Sequence, residues 1–317
     1  MKYVSLVEPY QYGFLPFQRP IYKTAEEVGF ITEHGYKDFP RLSHYFLHNW
    51  PINFHLPLFH SKSIKLLLIS GTHPGPMVFP FAYKNELIPI IWDCWPKYRS
   101  KIHQLLKFCD IKVCFFTQSE NVDFFGDKFP NVKFYYLPEA IVTNNYNIGK
   151  ELKYRDIDIL EYGRSNGIYH EEICKLKGVK HVYPKNGEVL FPKFSDLTRC
   201  ISNSKLTIAY PRCVTSNEIA GEIETLTQRY WESMYSGTLI VGHAPAELTR
   251  LIGYNPVIET EGNNISDVIS NVLSHLDDYQ TLANRNIESA KRYGDWKIRL
   301  ETLKDILHKN GYVVSKN

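Results

Sequence analysis

The apolar positions of this chain change rhythm near residue 65. Residues 1–60 are aromatic and punctuated by proline (PYQYGFLPFQRPIY, then FPRLSHYFLHNWPINFHLPLFH), and neither helical nor strand periodicity runs cleanly through them. From there on, short unbroken apolar runs alternate with amphipathic ones. Residues 65–70 (KLLLIS) read as a buried strand closed by the loop GTHPGP, and residues 87–92 (LIPIIW) as a second, closed by Asp93-Cys94-Trp95-Pro96. Residues 98–109 carry apolar side chains at 102, 105, 106 and 109, which is helical spacing. Residues 112–117 and 133–137 read as two further strands. The polar stretch 138–155, rich in Asn and Lys, reads as a linker. A second series follows it, with strands near 157–161, 179–183, 206–210, 238–242 and 256–259 and helical segments between most of them; the tail 265–317 is helical.

Strands alternating with helices predict an α/β protein built on parallel, doubly wound sheets. A chain of 317 residues is long for one core and comfortable for two domains. In such sheets ligands lie at the carboxyl ends of the strands, so the loops holding His73 and Asp93 become candidate sites.

Composition narrows the function without naming it. The chain is 44% hydrophobic and 22% charged, with a net charge of +3, too mild to argue for nucleic acid as a partner. Its six cysteines are scattered without a CxxC pair, so neither a zinc framework nor a disulfide framework is signalled. His44, His48, His55 and His60 lack a carboxylate or Cys at a familiar ligand spacing, and no metal site is predicted. Glu8, Gln11 and Arg19 interrupt any signal-peptide core. No apolar run approaches the ~20 residues that span a bilayer. The expectation is a soluble cytoplasmic protein, with room for peripheral membrane contact.

The stretch with most chemistry in it is 224–242, ETLTQRYWESMYSGTLIVG. Glu224 and Glu232 have seven residues between them, Gly237 suits the left-handed conformation that closes a helix, and 238–242 is a short buried strand. A helix N-terminus offers unpaired N–H groups and the positive end of a dipole, a natural seat for a diphosphate. Thr227 is the N-cap candidate, and Arg229 adds a forked cation in the first turn. Read blandly, the same stretch is an amphipathic surface helix with two solvated glutamates.

With the SMYSG-TLIVG that follows, the Glu-x7-Glu pair resembles the donor-sugar motif of GT-B glycosyltransferases, of the kind found in the C-terminal donor-binding domains of families 1 and 4. The resemblance covers about 20 residues closely and the second half of the chain loosely. It implies two Rossmann-like domains: 1–150 on the acceptor side, 151–290 holding the nucleotide sugar, and a C-terminal helix, 291–317, crossing back near Gly294-Asp295-Trp296. It places Glu232 on the donor's ribose and Glu224 near the donor sugar. Gly163-Arg164, after the first strand of the second domain, matches the family's Gly-Arg, which binds the diphosphate. The Lys that follows in the family falls near His170 here, and the nearest lysine is Lys175. Thr225 and Leu226 stand where the family often has Gly-aromatic-Gly. Arg212, at the end of another strand, completes a set of three arginines with Arg164 and Arg229. On the acceptor side, Asp93 between two tryptophans is a candidate general base, a helix N-cap or a loop carboxylate, and His73 is a candidate hydrogen-bond donor to the donor sugar or diphosphate.

The resemblance implies a metal-independent transferase with no cofactor beyond its nucleotide-diphosphate-sugar co-substrate. The acceptor would be a glycan, a lipid-linked or a small molecule, and retention is favoured over inversion. A nucleotide-sugar epimerase of the same fold and a non-enzymatic, degenerate GT-B binding module are the alternatives. Asp156-Ile157-Asp158 looks like the metal-binding Asp-x-Asp of the GT-A fold, but these aspartates open a strand, whereas a GT-A metal site closes one.

Overall fold

In the computed structural model the described residues are 2–8, 18–35, 63–72, 74–78, 81–83, 85–164, 167–185 and 190–314. His73 and the four histidines 44, 48, 55 and 60 lie outside them. The strands are β1 (Lys2–Glu8), β2 (Thr32–His34), β3 (Ile64–Ser70), β4 (Glu86–Trp92), β5 (Val113–Phe116), β6 (Lys133–Tyr136), β7 (Ile157–Leu160), β8 (His181–Val182), β9 (Ser204–Ala209), β10 (Leu239–Gly242), β11 (Val257–Glu259) and β12 (Tyr312–Val313). Packing gathers the chain into two compact units, one of Met1–Pro138, Glu218–Ile223 and Trp296–Asn317, the other of Glu139–Asn217 and Glu224–Asp295.

The first unit is a parallel sheet in the order β12-β1-β3-β4-β5-β6, with β2 also on β1. β3 and β4 are buried along nearly their whole length, which is why they read as continuous apolar runs rather than alternating ones. Pro89 lies inside β4, and the β4–β5 ladder begins only after it, at Ile90 opposite Phe115. A proline has no N–H to donate there. At the carboxyl ends of β3 and β4 the two loops touch: a Cβ on Gly71 would lie 2.7 Å from Cys94 Cα. Helix Trp296–Lys309 belongs to this unit, with Arg299 Nε donating to Pro138 O (3.0 Å) and Lys304 Nζ to Val28 O (3.1 Å).

The second unit is a parallel sheet in the order β11-β10-β9-β7-β8. The chain runs from β7 outward to β8, then returns past β7 to β9, so the topological switch point falls between β7 and β9. The stretch 139–155 is no free linker: it packs on this unit. Gly149 N donates to Ser236 O (3.1 Å), Leu152 N donates to the Gln280 side chain (2.8 Å), and Tyr146 is buried in the unit's core. Most of its Asn and Lys side chains are exposed, which is why its composition reads as solvent-facing, while Tyr146, Leu152 and Arg155 are buried and hold it to the unit. Among the described residues no helix is long and apolar enough to cross a membrane.

Candidate functional site

The switch point opens into a crevice lined by Glu161, Tyr162, Arg164, Tyr169, Tyr210 and Arg229, with Ile208 and Thr215 beside them. The sequence dictates its floor. β7 ends opposite Thr207 of β9, and the chain leaving it turns at Gly163 in the left-handed region, φ 75°. A Cβ there would come within 2.1 Å of Arg229 Nη2. Glycine at 163 therefore lets the Arg164 backbone and the Arg229 side chain meet: Arg229 Nη1 donates to Arg164 O at 3.3 Å. Gly163→Ala should cost about 1–3 kcal/mol in backbone strain and push the Arg229 guanidinium aside. Thermal denaturation reads the first effect, and nucleotide titration reads the second as weakened binding.

Arg229 is the second residue of helix Gln228–Tyr235, and its guanidinium carbon lies 5.3 Å from the Tyr162 ring centroid, within cation–π range. Thr227 holds the N-cap position with extended φ and ψ, but its hydroxyl makes no capping bond. The loop before it is fixed from elsewhere: buried Glu247 accepts from Leu226 N at 3.1 Å. Tyr169 stacks on Tyr210 with centroids 4.2 Å apart, and the Tyr210 hydroxyl donates to Thr260 O.

Glu232, expected on a ribose, does not face the crevice. It is 7% exposed, and each carboxylate oxygen accepts from a tyrosine: Oε1 from Tyr146 (2.6 Å), Oε2 from Tyr162 (3.0 Å). Burial raises its carboxyl above the ordinary range, against the lowering pull of the two tyrosine hydroxyls and Arg229. The physical reason is that this helix is packed all round its middle: residues 230 to 234 are all buried, and Tyr146 and Tyr162 cover the 232 side chain. Tyr162 lines the crevice instead, oriented by Glu232.

Of the three arginines that the sequence reading gathers, Arg164 and Arg229 line the crevice and Arg212 is not among its lining residues. Arg212 opens the turn Arg212–Thr215 at the end of β9, and from that turn it is Thr215 that lines the crevice. Glu224 accepts from His243 Nε2 and from Ala246 N, both at 2.9 Å, so it caps the helix Ala246–Ile252 rather than standing open. His243 Nδ1 bonds Glu259 at 2.8 Å. Burial alone would lower His243, but the bonds to Glu224 and Glu259 outweigh it and raise its imidazole above the ordinary 6.5. A raised histidine stabilises the fold fully below its unfolded value, and that contribution disappears as pH climbs through the folded one. A proton NMR titration should therefore place the His243 midpoint above 6.5, and Glu224→Gln should move it down.

Asp93 closes β4 in the first unit. It is a non-glycine residue at φ 53°, and its Oδ1 accepts from Trp95 Nε1 at 3.0 Å. Asp156 and Asp158 open β7 and are engaged structurally, Asp156 by Asn203 and Asp158 by Lys205 and Lys180 N.

Sequence reasoning missed one cluster. Glu161, one residue past β7, accepts from His181 Nε2 at 2.7 Å and bonds His170 Nδ1 at 3.1 Å, both through Oε1. Burial would raise the Glu161 carboxyl, yet the two histidines hold it below the usual range. His170, standing near the family's lysine position, is thus committed to a carboxylate. The usable signal was register: His181 pairs with Ile159, which puts it on the same face as Glu161 two residues later.

No family model matches the sequence, and no curated protein matches it. Solved structures do match. Sucrose-phosphate synthase from Thermosynechococcus elongatus aligns with TM-score 0.64 at 8% identity, over 98% of this chain and 99% of that one. HepE from Anabaena, in complex with UDP and glucose, aligns with TM-score 0.59 at 8% identity, over 98% of this chain and 100% of that one. An α,α-trehalose 6-phosphate synthase from Burkholderia multivorans aligns with TM-score 0.59 at 11% identity, over 98% and 99%. These neighbours are GT-B glycosyltransferases, and this chain has the GT-B fold, with its two Rossmann-like units of parallel sheet.

Proposed function

We propose that the protein is a glycosyltransferase that takes its sugar from a nucleoside diphosphate donor seated in the crevice of the second unit. One observation carries the reading: at the switch point of a parallel sheet, two arginines line one crevice walled by tyrosines, and one of them, Arg229, stands in the first turn of a helix. Such a place suits a dianionic diphosphate. The forks of Arg164 and Arg229 supply charge-assisted hydrogen bonds, and the start of helix Gln228–Tyr235 adds the positive end of its dipole. HepE was solved with UDP and glucose, so UDP-glucose is the first donor to try.

In the reaction the bond between the sugar's anomeric carbon and the diphosphate oxygen breaks, the acceptor's hydroxyl oxygen bonds that carbon, and the hydroxyl proton passes to the departing diphosphate or to solvent. Negative charge grows on the departing diphosphate, where Arg164 and Arg229 meet it without a metal ion in the chemistry. Tyr162, held by Glu232, keeps Arg229 aimed. Asp93 is the acceptor-side carboxylate of this reading: it sits at a strand's carboxyl end in a conformation that L residues rarely adopt, the kind of local strain that collects at functional sites. The acceptor is a glycan, a lipid-linked or a small molecule, and retention of configuration is the expected outcome.

The test is incubation of the full chain with UDP-, GDP- and dTDP-sugars. Release of nucleoside diphosphate, with or without acceptor, is the expected result. An isomerised sugar still attached to its nucleotide would show an epimerase instead, and neither binding nor release would leave a non-enzymatic module.

A further inference from the structure

We propose that Glu161, His170 and His181 form a binding site for one divalent d-block cation, Zn2+ by preference, at the margin of the crevice. The proposal does not rest on the function argued above, because metal uptake is read without any nucleotide.

The three groups come from three elements: Glu161 from the end of β7, His170 from helix Gly167–Cys174, and His181 from β8. Their ligand atoms all lie within 4.8 Å of one another. In a tetrahedral zinc site with bonds near 2.0–2.2 Å, neighbouring ligand atoms stand about 3.3 Å apart. Here Glu161 Oε1 is 3.1 Å from His170 Nδ1 and 2.7 Å from His181 Nε2, so small ring movements make room for an ion. Two imidazoles and one carboxylate are a donor set for Zn2+ and its neighbours in the first transition row. Mg2+ and Ca2+ prefer oxygen throughout.

Two further features fit. The far nitrogen of His170, Nε2, has its own partner in Cys174 Sγ at 3.4 Å, the kind of outer contact that fixes the orientation of a ligating histidine. The Glu161 and His181 side chains are 6% and 8% exposed. A carboxylate that deep is held by partners, which the two imidazoles supply now and a divalent ion between the three groups would supply more strongly. Three protein ligands leave one coordination position for water or an anion, and Glu161 itself lines the crevice.

The experiment uses the tag-free full chain, stripped with a chelator and titrated with Co2+, then with Zn2+. Wild type should take up one Co2+ with the visible d–d absorption of a four- or five-coordinate site. Zn2+ should displace it and Mg2+ should not. Histidine ring protons should be hyperfine-shifted in the Co2+ form. His170→Gln and His181→Gln should each weaken binding by at least about tenfold, since even the outer partners of metal ligands cost about 10- to 100-fold. Glu161→Gln, nearly isosteric, covers the case in which a histidine variant unfolds. The exposed His275→Gln should bind as wild type does. Absence of the Co2+ band in wild type, with unshifted histidine signals, would overturn the proposal, as would binding that survives all three substitutions. Glu161 would then be a carboxylate held only by hydrogen bonds.

Discussion

Arg164→Ala should weaken binding of a nucleoside diphosphate by about 10- to 150-fold while leaving the matching nucleoside nearly unchanged. The figure follows from losing a charge-assisted interaction of about 1.5–3 kcal/mol. Arg229→Ala should act in the same direction and should also release Tyr162, over whose ring the guanidinium sits. Because the two forks address one diphosphate, the double variant should fall short of the sum. Calorimetric titration at low and at moderate salt is the measurement. Binding in wild type should weaken as salt rises, and the variants should show a shallower dependence. An equal loss for nucleoside and nucleoside diphosphate would mean that Arg164 shapes the crevice without touching phosphate.

Arg155→Ala should strongly destabilise the second unit. Arg155 is 4% exposed. Its guanidinium donates to Lys150 O (2.7 Å), Ser204 O (2.9 Å), Thr238 Oγ1 (3.0 Å) and Ser236 O (3.1 Å). Gly149 and Gly237 leave the space, since a Cβ at either would come within 3.0 Å of the group. Burial pulls its pKa down to about 10, which still leaves it charged at neutral pH. Truncation strands several buried acceptors at once, and the expected cost is about 3–5 kcal/mol. For a unit of this size that lowers the melting temperature by roughly 10 °C or more. Differential scanning calorimetry reads it directly. Arg155→Lys should recover only part of the loss, because an ammonium cannot span acceptors spread along three segments. A change within about 1 kcal/mol for Arg155→Ala would show that water replaces the guanidinium.

The strands that the sequence makes legible are those buried on both faces. β3, β4 and β10 are continuous apolar runs, and no surface helix reads that way. β1 escaped because KYVSLVE mixes polar and apolar residues in a stretch dominated by aromatics and prolines, yet it pairs with β3, β2 and β12. Gly163 and Arg164 were legible for the same reason as β7 itself: they follow a clear buried run, and strand ends are where such sheets bind. Spacing along a helix did not reveal that both Glu232 oxygens are held by tyrosines. One of these, Tyr146, comes from 86 residues away, in a segment whose polar composition suggested a linker. The Glu161–His170–His181 cluster was invisible to motif reading because strand register, not sequence spacing, assembles it.

The central claim is that the crevice between β7 and β9 holds a nucleoside diphosphate. Crystals of the full chain soaked with UDP, GDP and dTDP test it most directly. The account predicts density for a diphosphate within hydrogen-bond distance of the Arg164 and Arg229 guanidinium groups and beside the start of helix Gln228–Tyr235. A diphosphate bound away from both arginines, or no bound nucleotide at saturating concentration of all three, would contradict it.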